Sequence, residues 1–488
     1  MNKKQLDILI VNPLIHSQRE KQFDMPVRPR PPLDLAYLQA LLKKEYSSEL
    51  VDARAKKMLA PEVIADILEK KPKIVIVTTT PLDRWECPNL FIDSIFDIVN
   101  EVSKVTQTII CGSHGTVTPH WIFENCKADY VVRGEPENPV TELVKAIMAG
   151  RKVNRVKGIS YLSGKKVVDN PDAKPVMDLD SLPFPAYEDL DIGAYRYTSD
   201  DIPCPFTIML ASRGCPFSCT FCLKKMMAAP YRVRQPEKAV EEMLLLQERF
   251  GIKGVFFQDW EFVINKPNVE QICQLMIKKG VTIKWGCNAR ATDFSQKLMS
   301  LMKQAGCVRI NIGLESGSQT ILDNIKKLVK VEHIKNALTI CRKLEINMGL
   351  YSLINSPGEN EKTLRETAEF LVKNGLEDEF WWNYPIPYLG TELNEKAGLT
   401  DKSWPELSQF AGKVEVRFSP QEARRFLTRS IWQEKYGKLY FLNPLFSQVV
   451  WRHARDTWLK PLLGGTLALF LITQQVYFSL GVIQTKAF

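Results

Sequence analysis

The sequence predicts an α/β protein in three parts: a doubly wound parallel-sheet domain, a partial barrel, and a C-terminal helical segment attached to a membrane. Three observations predict it. Over residues 1–150, continuous apolar strands alternate with amphipathic helices, the pattern of a parallel sheet covered on both faces. From Phe206 the alternation resumes and runs through about six strand–helix units to residue 395. Beyond that the pattern gives way to an aromatic and basic stretch followed by a long apolar run.

In the first part the strands are Leu6–Val11, Leu50–Asp52, Ile74–Thr79, Thr108–Cys111 and Tyr130–Arg133. The helices between and after them are Pro32–Glu45, Pro61–Glu69, Leu90–Ser103, His120–Cys126 and Pro139–Ala149. A sheet of this kind binds ligands at the carboxyl ends of its strands. Residues 151–200 read as a connector, with a hairpin turning at Ser163-Gly164 and the proline-rich Leu182-Pro183-Phe184-Pro185-Ala186. The barrel, over 201–395, has strands at Thr207–Ala211, Gly254–Gln258, Lys284–Cys287, Val308–Gly313, Asn347–Leu353 and Glu379–Asn383. Chemistry in such a barrel lies at the carboxyl ends of its strands.

Residues 396–488 form the third part. Ser430–Lys460 interleaves aromatics (Trp432, Tyr436, Trp451, Trp458) with cations, and 461–483 carries no charge. The length of that run matches a bilayer span, while Gln474 and Gln475 lower its hydropathy. Spanning the bilayer and lying in its interface are both open readings. The basic belt faces the cytoplasm in either. The N-terminus leads straight into a strand, and single cysteines are scattered as small core residues, so a reducing, cytoplasmic location is expected for the body. A formal net charge of +9 on 488 residues suits an anionic membrane or nucleic acid equally. The apolar run behind the basic belt favours the membrane, and no nucleic-acid partner is expected.

The chemistry concentrates in Ser212-Arg213-Gly214-Cys215-Pro216-Phe217-Ser218-Cys219-Thr220-Phe221-Cys222. Thiolates are the usual protein ligands of iron–sulfur clusters. Three on one tight loop can hold three irons of a [4Fe–4S] cube and leave the fourth open for chemistry. With eleven cysteines in 488 residues, such a grouping is not a product of dense cysteine usage.

With that loop the chain resembles the radical S-adenosylmethionine (SAM) enzymes, specifically the class with an N-terminal, Rossmann-like cobalamin-binding domain. The resemblance covers about residues 5–395. It implies that Cys215, Cys219 and Cys222 ligate the cluster, that SAM chelates the open iron, and that an external flavodoxin- or ferredoxin-type donor supplies electrons. Further segments fit in order. Val255–Phe262 resembles the end of the second barrel strand, with Trp260 where an acid often stands. Asn288–Thr292 resembles the strand-end arginine segment, and Ile310–Gly317 the strand whose glutamate contacts SAM. Arg290 and Glu315 are thereby implied as SAM contacts, with Lys326 or Lys327 at a basic position after them. Ser356-Pro357-Gly358-Glu359 matches the Pro-Gly-Glu turn, and Pro385–Glu392 resembles the closing Pro-Gly-Thr segment with an insertion.

In the first domain, Pro31–Leu38, Val51-Asp52-Ala53, Gly112–Pro119 and Val131–Glu137 resemble the cobalamin-binding domain. Its small-residue loop implies Ser113, Gly115 and Thr116 as cobalamin contacts. The chain departs from the Asp-x-His-x-x-Gly pattern that supplies a lower axial histidine: beside His16, Leu14 and Arg19 replace the Asp and the Gly. Two readings stay open: a corrin without a protein histidine on its lower face, and a domain that has lost its ligand. The leading functional expectation is radical methylation of an unactivated carbon of an apolar or natural-product-like small molecule. A non-methylating radical reaction, such as tetrapyrrole ring closure or carbon–carbon bond formation on a lipid, is the alternative. A membrane-tethered iron–sulfur redox or sensor protein is the reading from another class. The chain gives no motif for a catalytic side chain.

Overall fold

A computed structural model describes residues 6–15, 29–227, 230–377 and 380–437. The chain forms two compact units. One comprises the chain up to Gly313 with Glu332–Gly349 and Ile386–Ala411; the other comprises Leu314–Val331, Leu350–Pro385 and the chain from Gly412.

The first unit opens with β1 (Ile8–Asn12), α1 (Leu33–Leu42), β2 (Ser48–Asp52), α2 (Ala60–Lys70) and β3 (Ile74–Thr78). It continues with α3 (Asp93–Val102), β4 (Gln107–Cys111), β5 (Tyr130–Val132) and α4 (Glu137–Met148). Every residue of β1 and β3 is buried, as expected for strands covered on both faces. Leu9, Val11, Val75 and Val77 meet Ile95, Val99 and Val102 of α3 in one core. Each such side chain contributes about 1.5–3 kcal/mol on burial.

The strand order is β2-β1-β3-β4-β5-β6-β7, so the winding reverses between β1 and β3. There the ligand crevice of a doubly wound sheet lies. The last two strands, β6 (Ile159–Ser163) and β7 (Lys166–Asp169), are the hairpin of the connector. The hairpin extends the sheet, because β6 pairs antiparallel with β5. The predicted small-residue loop at 113–118 is a helical turn, Ser113–Val117.

The predicted barrel strands all form. Those of the first unit are β8 (Phe206–Met209), β11 (Gly254–Phe257), β12 (Lys284–Ala289) and β13 (Cys307–Glu315), in parallel register from β8 through β11 and β12 to β13. A short antiparallel ladder of β9 (Ser212–Arg213) and β10 (Arg232–Val233) stands after β8. The helix α5 (Pro236–Phe250) starts on Pro236 and stops at Gly251, which takes the left-handed conformation at φ 62°.

The second unit contains Leu350–Leu353 of β14 (Asn347–Leu353), which pair in parallel with β15 (Phe380–Asn383), and α6 (Glu361–Lys373) packed on α7 (Pro420–Tyr436). The latter helix begins in a capping box: Ser419 Oγ accepts from the Glu422 N–H, and the Glu422 carboxylate accepts from the Ser419 N–H. Among the described residues no helix is long and apolar enough to cross a membrane. The apolar run 461–483 and His16 lie outside the described residues.

Candidate active site

The cysteine loop is held at its neck. Arg213 pairs with Arg232 and Ser212 with Val233 in the β9–β10 ladder, so the segment between them must close on itself. Asp259, just beyond β11, fixes the same neck by accepting from the Ala211 N–H (3.1 Å) and the Ser212 hydroxyl (2.5 Å). Burial holds the Asp259 carboxyl up at about 6, against the pull of those hydrogen bonds. Gly214 adopts φ 89°, a left-handed turn that admits the chain into the loop. Inside, the Cys222 N–H donates to the Cys219 carbonyl at 3.3 Å and the Lys224 ammonium donates to the Phe217 carbonyl.

Cys215, Cys219 and Cys222 are half-buried thiols with no disulfide partner. Burial, reinforced by the neighbouring thiols, pushes Cys215 and Cys222 up; Arg290 pulls Cys215 back. Iron binding replaces those protons outright. Among the described residues no three His, Cys, Asp or Glu side chains are placed to hold a metal ion. A cubane carries each thiolate on a different iron, so a set of three separated thiols on one loop fits the cluster rather than a mononuclear ion.

Arg290 follows β12 and is brought to this loop. Its guanidinium carbon lies 3.6 Å from the Phe217 ring centroid and its Nη1 3.9 Å from the Cys219 sulfur. Its own N–H is fixed at 2.8 Å by the buried Glu261 carboxylate. A planar cation stacked on the loop's aromatic suits recognition of a carboxylate beside the cluster.

The segment 386–411 closes over the loop. The Leu393 N–H donates to the Thr220 carbonyl at 2.9 Å, and Leu223 joins Leu90, Tyr388, Leu389 and Trp404 in a buried cluster.

In the N-terminal sheet, β1 and β3 run in parallel register up to Val11 opposite Val77, and end on Asn12 and Thr78 at the switch point. Asn12 donates to Asp52 at 2.8 Å, and Asp52 also accepts from the Tyr195 hydroxyl at 2.7 Å. Ser113, Gly115 and Thr116 lie together, each engaged with protein: Ser113 Oγ donates to the Trp85 carbonyl at 3.1 Å, and Thr116 Oγ1 receives the Gly134 N–H at 3.0 Å. A Cβ on Gly115 would stand 2.6 Å from Val131 Cγ1, so this glycine permits close helix–strand packing. A Cβ on Gly134, at φ 80°, would meet nothing within 4 Å, so the loop after β5 is the more open one.

His114 is buried 4.4 Å from the Trp404 ring, between the Asn89 carbonyl at Nε2 (2.9 Å) and the Thr80 hydroxyl at Nδ1 (3.3 Å). Burial pushes it down to about 4, which keeps it neutral. His120 is engaged by Asp169 at 2.9 Å. Both imidazoles are thus committed to protein partners.

The sequence quoted Arg213, Glu135 and Glu137 in separate motifs, and the fold joins them. Arg213 Nη2 meets Glu137 at 2.6 Å; Arg232 meets both oxygens of Glu135 at 2.5 and 3.0 Å. All four side chains are buried. The signal was an arginine and two acids in otherwise apolar surroundings, whose pairing no local pattern reveals.

In the second unit, Glu315 ends β13 with φ 56°, a costly conformation for a residue with a side chain. Lys327, and not the exposed Lys326, reaches it: Nζ to Oε1 is 2.6 Å, and both groups are buried. At the Pro-Gly-Glu turn, Glu359 accepts from the Asn355 and Ser356 N–H groups.

Comparison with known proteins follows these features. The model of the radical SAM superfamily matches residues 209–371. An uncharacterized methyltransferase of Pyrococcus horikoshii is 29% identical over 369 residues, covering 75% of this chain and 78% of that one. The anaerobic magnesium-protoporphyrin IX monomethyl ester cyclase of Rubrivivax gelatinosus is 29% identical over 379 residues, covering 75% of this chain and 66% of the cyclase. Among solved structures, the radical SAM methyltransferase TsrM from Kitasatospora setae superposes with a TM-score of 0.63 at 20% identity, over 80% of this chain and 76% of that one. The cobalamin-dependent SAM radical enzyme OxsB, solved with aqua-cobalamin and SAM, gives 0.63 at 20% over 93% and 61%.

Proposed function

We propose that the chain is a radical SAM enzyme of the cobalamin-dependent class, with a [4Fe–4S] cluster and SAM, and that it methylates an unactivated carbon of an apolar small molecule. One observation carries the proposal: the three-thiol loop is tied by buried ion pairs to a domain whose strand order opens a ligand crevice. When bound, the cluster and SAM supply a hydrogen-abstracting 5′-deoxyadenosyl radical and cobalamin supplies a methyl group.

The residues of the chain hold and shield this chemistry. Cys215, Cys219 and Cys222 would hold the cluster, and Arg290 would receive the SAM carboxylate. Glu315, fixed by Lys327, would accept a hydrogen bond from SAM. Ser113, Gly115 and Thr116 shape the loop on the cobalamin side. The segment 386–411 excludes water from the loop at Thr220, which a radical site requires.

The test uses protein purified without oxygen. Its absorption spectrum should show cluster and corrin bands together, and SAM carrying a deuterated methyl should yield a deuterated product with 5′-deoxyadenosine. Product formed without methylcobalamin would support a second reading, a non-methylating ring closure, which the named activity of the Rubrivivax relative favours. Cluster reduction without 5′-deoxyadenosine would sink both readings and leave a redox protein.

Electrons would come from a flavodoxin- or ferredoxin-type donor. Residues 430–483, with a basic aromatic belt before an apolar run, support attachment to the cytoplasmic face of a membrane. Flotation with anionic liposomes of the full chain, but not of a chain ending near residue 430, is the expected outcome.

A further inference from the structure

The inner face of β11 carries Gly254, Phe256 and, just past the strand, Gln258. The chain at Pro203, just past the connector, fills the lower part of this face: a Cβ on Gly254 would stand 2.1 Å from the Pro203 carbonyl oxygen. Above it Tyr197 stacks on Phe256 at 4.8 Å, and its hydroxyl accepts from Asn311 at 2.7 Å. Over Tyr197 lies Arg30, which the N-terminal domain contributes. Its guanidinium carbon is 5.3 Å from the Tyr197 ring centroid, and Nη1 donates to Gln258 Oε1 at 3.1 Å.

Arg30 is flanked by Pro29, Pro31 and Pro32, whose fixed φ angles stiffen the backbone that presents it. Three other arginines meet carboxylates: Arg309, lower on the same face, meets Asp201 at 2.7 Å, and the buried Arg213 and Arg232 meet Glu137 and Glu135. Among the described residues Arg30 is in no ion pair, and its only hydrogen bond is to a neutral amide. A half-buried cation over an aromatic floor, with part of its donor fork uncommitted, is a site for an anion.

We propose that Arg30 binds a carboxylate or phosphate group of the substrate, so that the molecule acted upon is an acid with an apolar body. This rests on the reading of the inner face as the place of a radical SAM substrate, and adds the substrate's chemical class.

The test uses full-length protein loaded with cluster, cobalamin and SAM, so that the anionic groups of both cofactors are already accommodated. Inorganic phosphate and carboxyl-labelled propionate are titrated separately and binding is read by ³¹P and ¹³C line broadening. One saturable site per chain is expected, weakened roughly tenfold or more in Arg30→Gln and restored to within about threefold in Arg30→Lys. Whichever probe binds tighter identifies the acid. The cluster absorption and far-ultraviolet circular dichroism of Arg30→Gln should equal those of the parent, which reports that the variant is folded. Equal anion binding by parent and Arg30→Gln, or no saturable binding by the parent, overturns the proposal. A loss of SAM cleavage confined to the variant also overturns it, by assigning Arg30 to SAM. Absence of 5′-deoxyadenosine from the parent defeats the proposed function and leaves the anion measurement readable.

Discussion

Arg213 donates from Nη2 to the Glu137 carboxylate at 2.6 Å, with both side chains almost wholly removed from solvent. Two residues later comes the first cysteine of the loop. Taking two charges out of water is costly, so such a pair is tolerated only where geometry is good and the partners are complete. Here Glu135 and Arg232 complete it. Replacing Arg213 by Met should therefore strand Glu137 and destabilise the protein by about 3–5 kcal/mol. Urea unfolding of the protein without cluster measures this, and a change below about 1 kcal/mol would remove the pair from the structural argument.

Single Cys215→Ala, Cys219→Ala and Cys222→Ala variants should each lose the cluster absorption and all 5′-deoxyadenosine formation while keeping the far-ultraviolet circular dichroism of the parent. Cys273→Ala, in a buried position away from the loop, should keep both activities. Iron content per chain is the direct readout.

Arg290→Gln should raise the SAM concentration needed for half-maximal cleavage by roughly 10–100-fold, the loss of one charge-assisted hydrogen bond of about 1.5–3 kcal/mol. Arg290→Lys should recover little, because an ammonium cannot reproduce a planar cation stacked 3.6 Å from the Phe217 ring centroid. Full recovery by lysine would show that charge alone matters there.

Glu359 sets a pH dependence. Burial raises its carboxyl from 4.5 to about 7, although two backbone N–H groups pull it down. The native state then binds the proton more tightly than the unfolded chain. Its stabilising contribution is complete below about 4.5 and is lost as pH rises to about 7, on the order of 2–3 kcal/mol. Unfolding free energy measured at pH 5 and pH 8 should therefore fall less steeply in Glu359→Gln than in the parent. Parallel pH profiles would contradict the assignment.

Trp404→Ala should cost about 3–5 kcal/mol, since the ring is fully buried and its indole N–H donates to Thr118 at 2.7 Å. The same variant should bleach its cluster faster in air, because Trp404 belongs to the segment that reaches Thr220 and packs there with Leu223. Absorbance decay after exposure to oxygen checks it.

The α/β architecture was legible because strands such as β1, β3 and β11 are short, almost wholly apolar runs between helices, and burial on both faces leaves that trace in composition. The hairpin of 159–169 was legible as a hairpin but not as part of the first sheet, since the choice of β5 as its partner depends on contacts distant in sequence. The turn Ser113–Val117 was hidden for a related reason: small residues carry no periodicity, and position 115 is glycine because Val131 leaves no room for a side chain. The cysteines were visible through their spacing. Arg30 was not, because what makes it notable is the neutral amide and aromatic ring it meets 167 or more residues away.

The neck arginines of the cysteine loop have their counter-charges at the start of α4, in a part of the chain that leaves the ribosome earlier. A loop whose base carries two buried cations cannot settle until those acids are in place. Synthesis thus imposes an order: the first sheet forms, the loop is seated on it, and iron arrives last. A fragment beginning at residue 201 would present the same three thiols on an unseated base, and metal loading would become the measure of whether the preceding domain had folded.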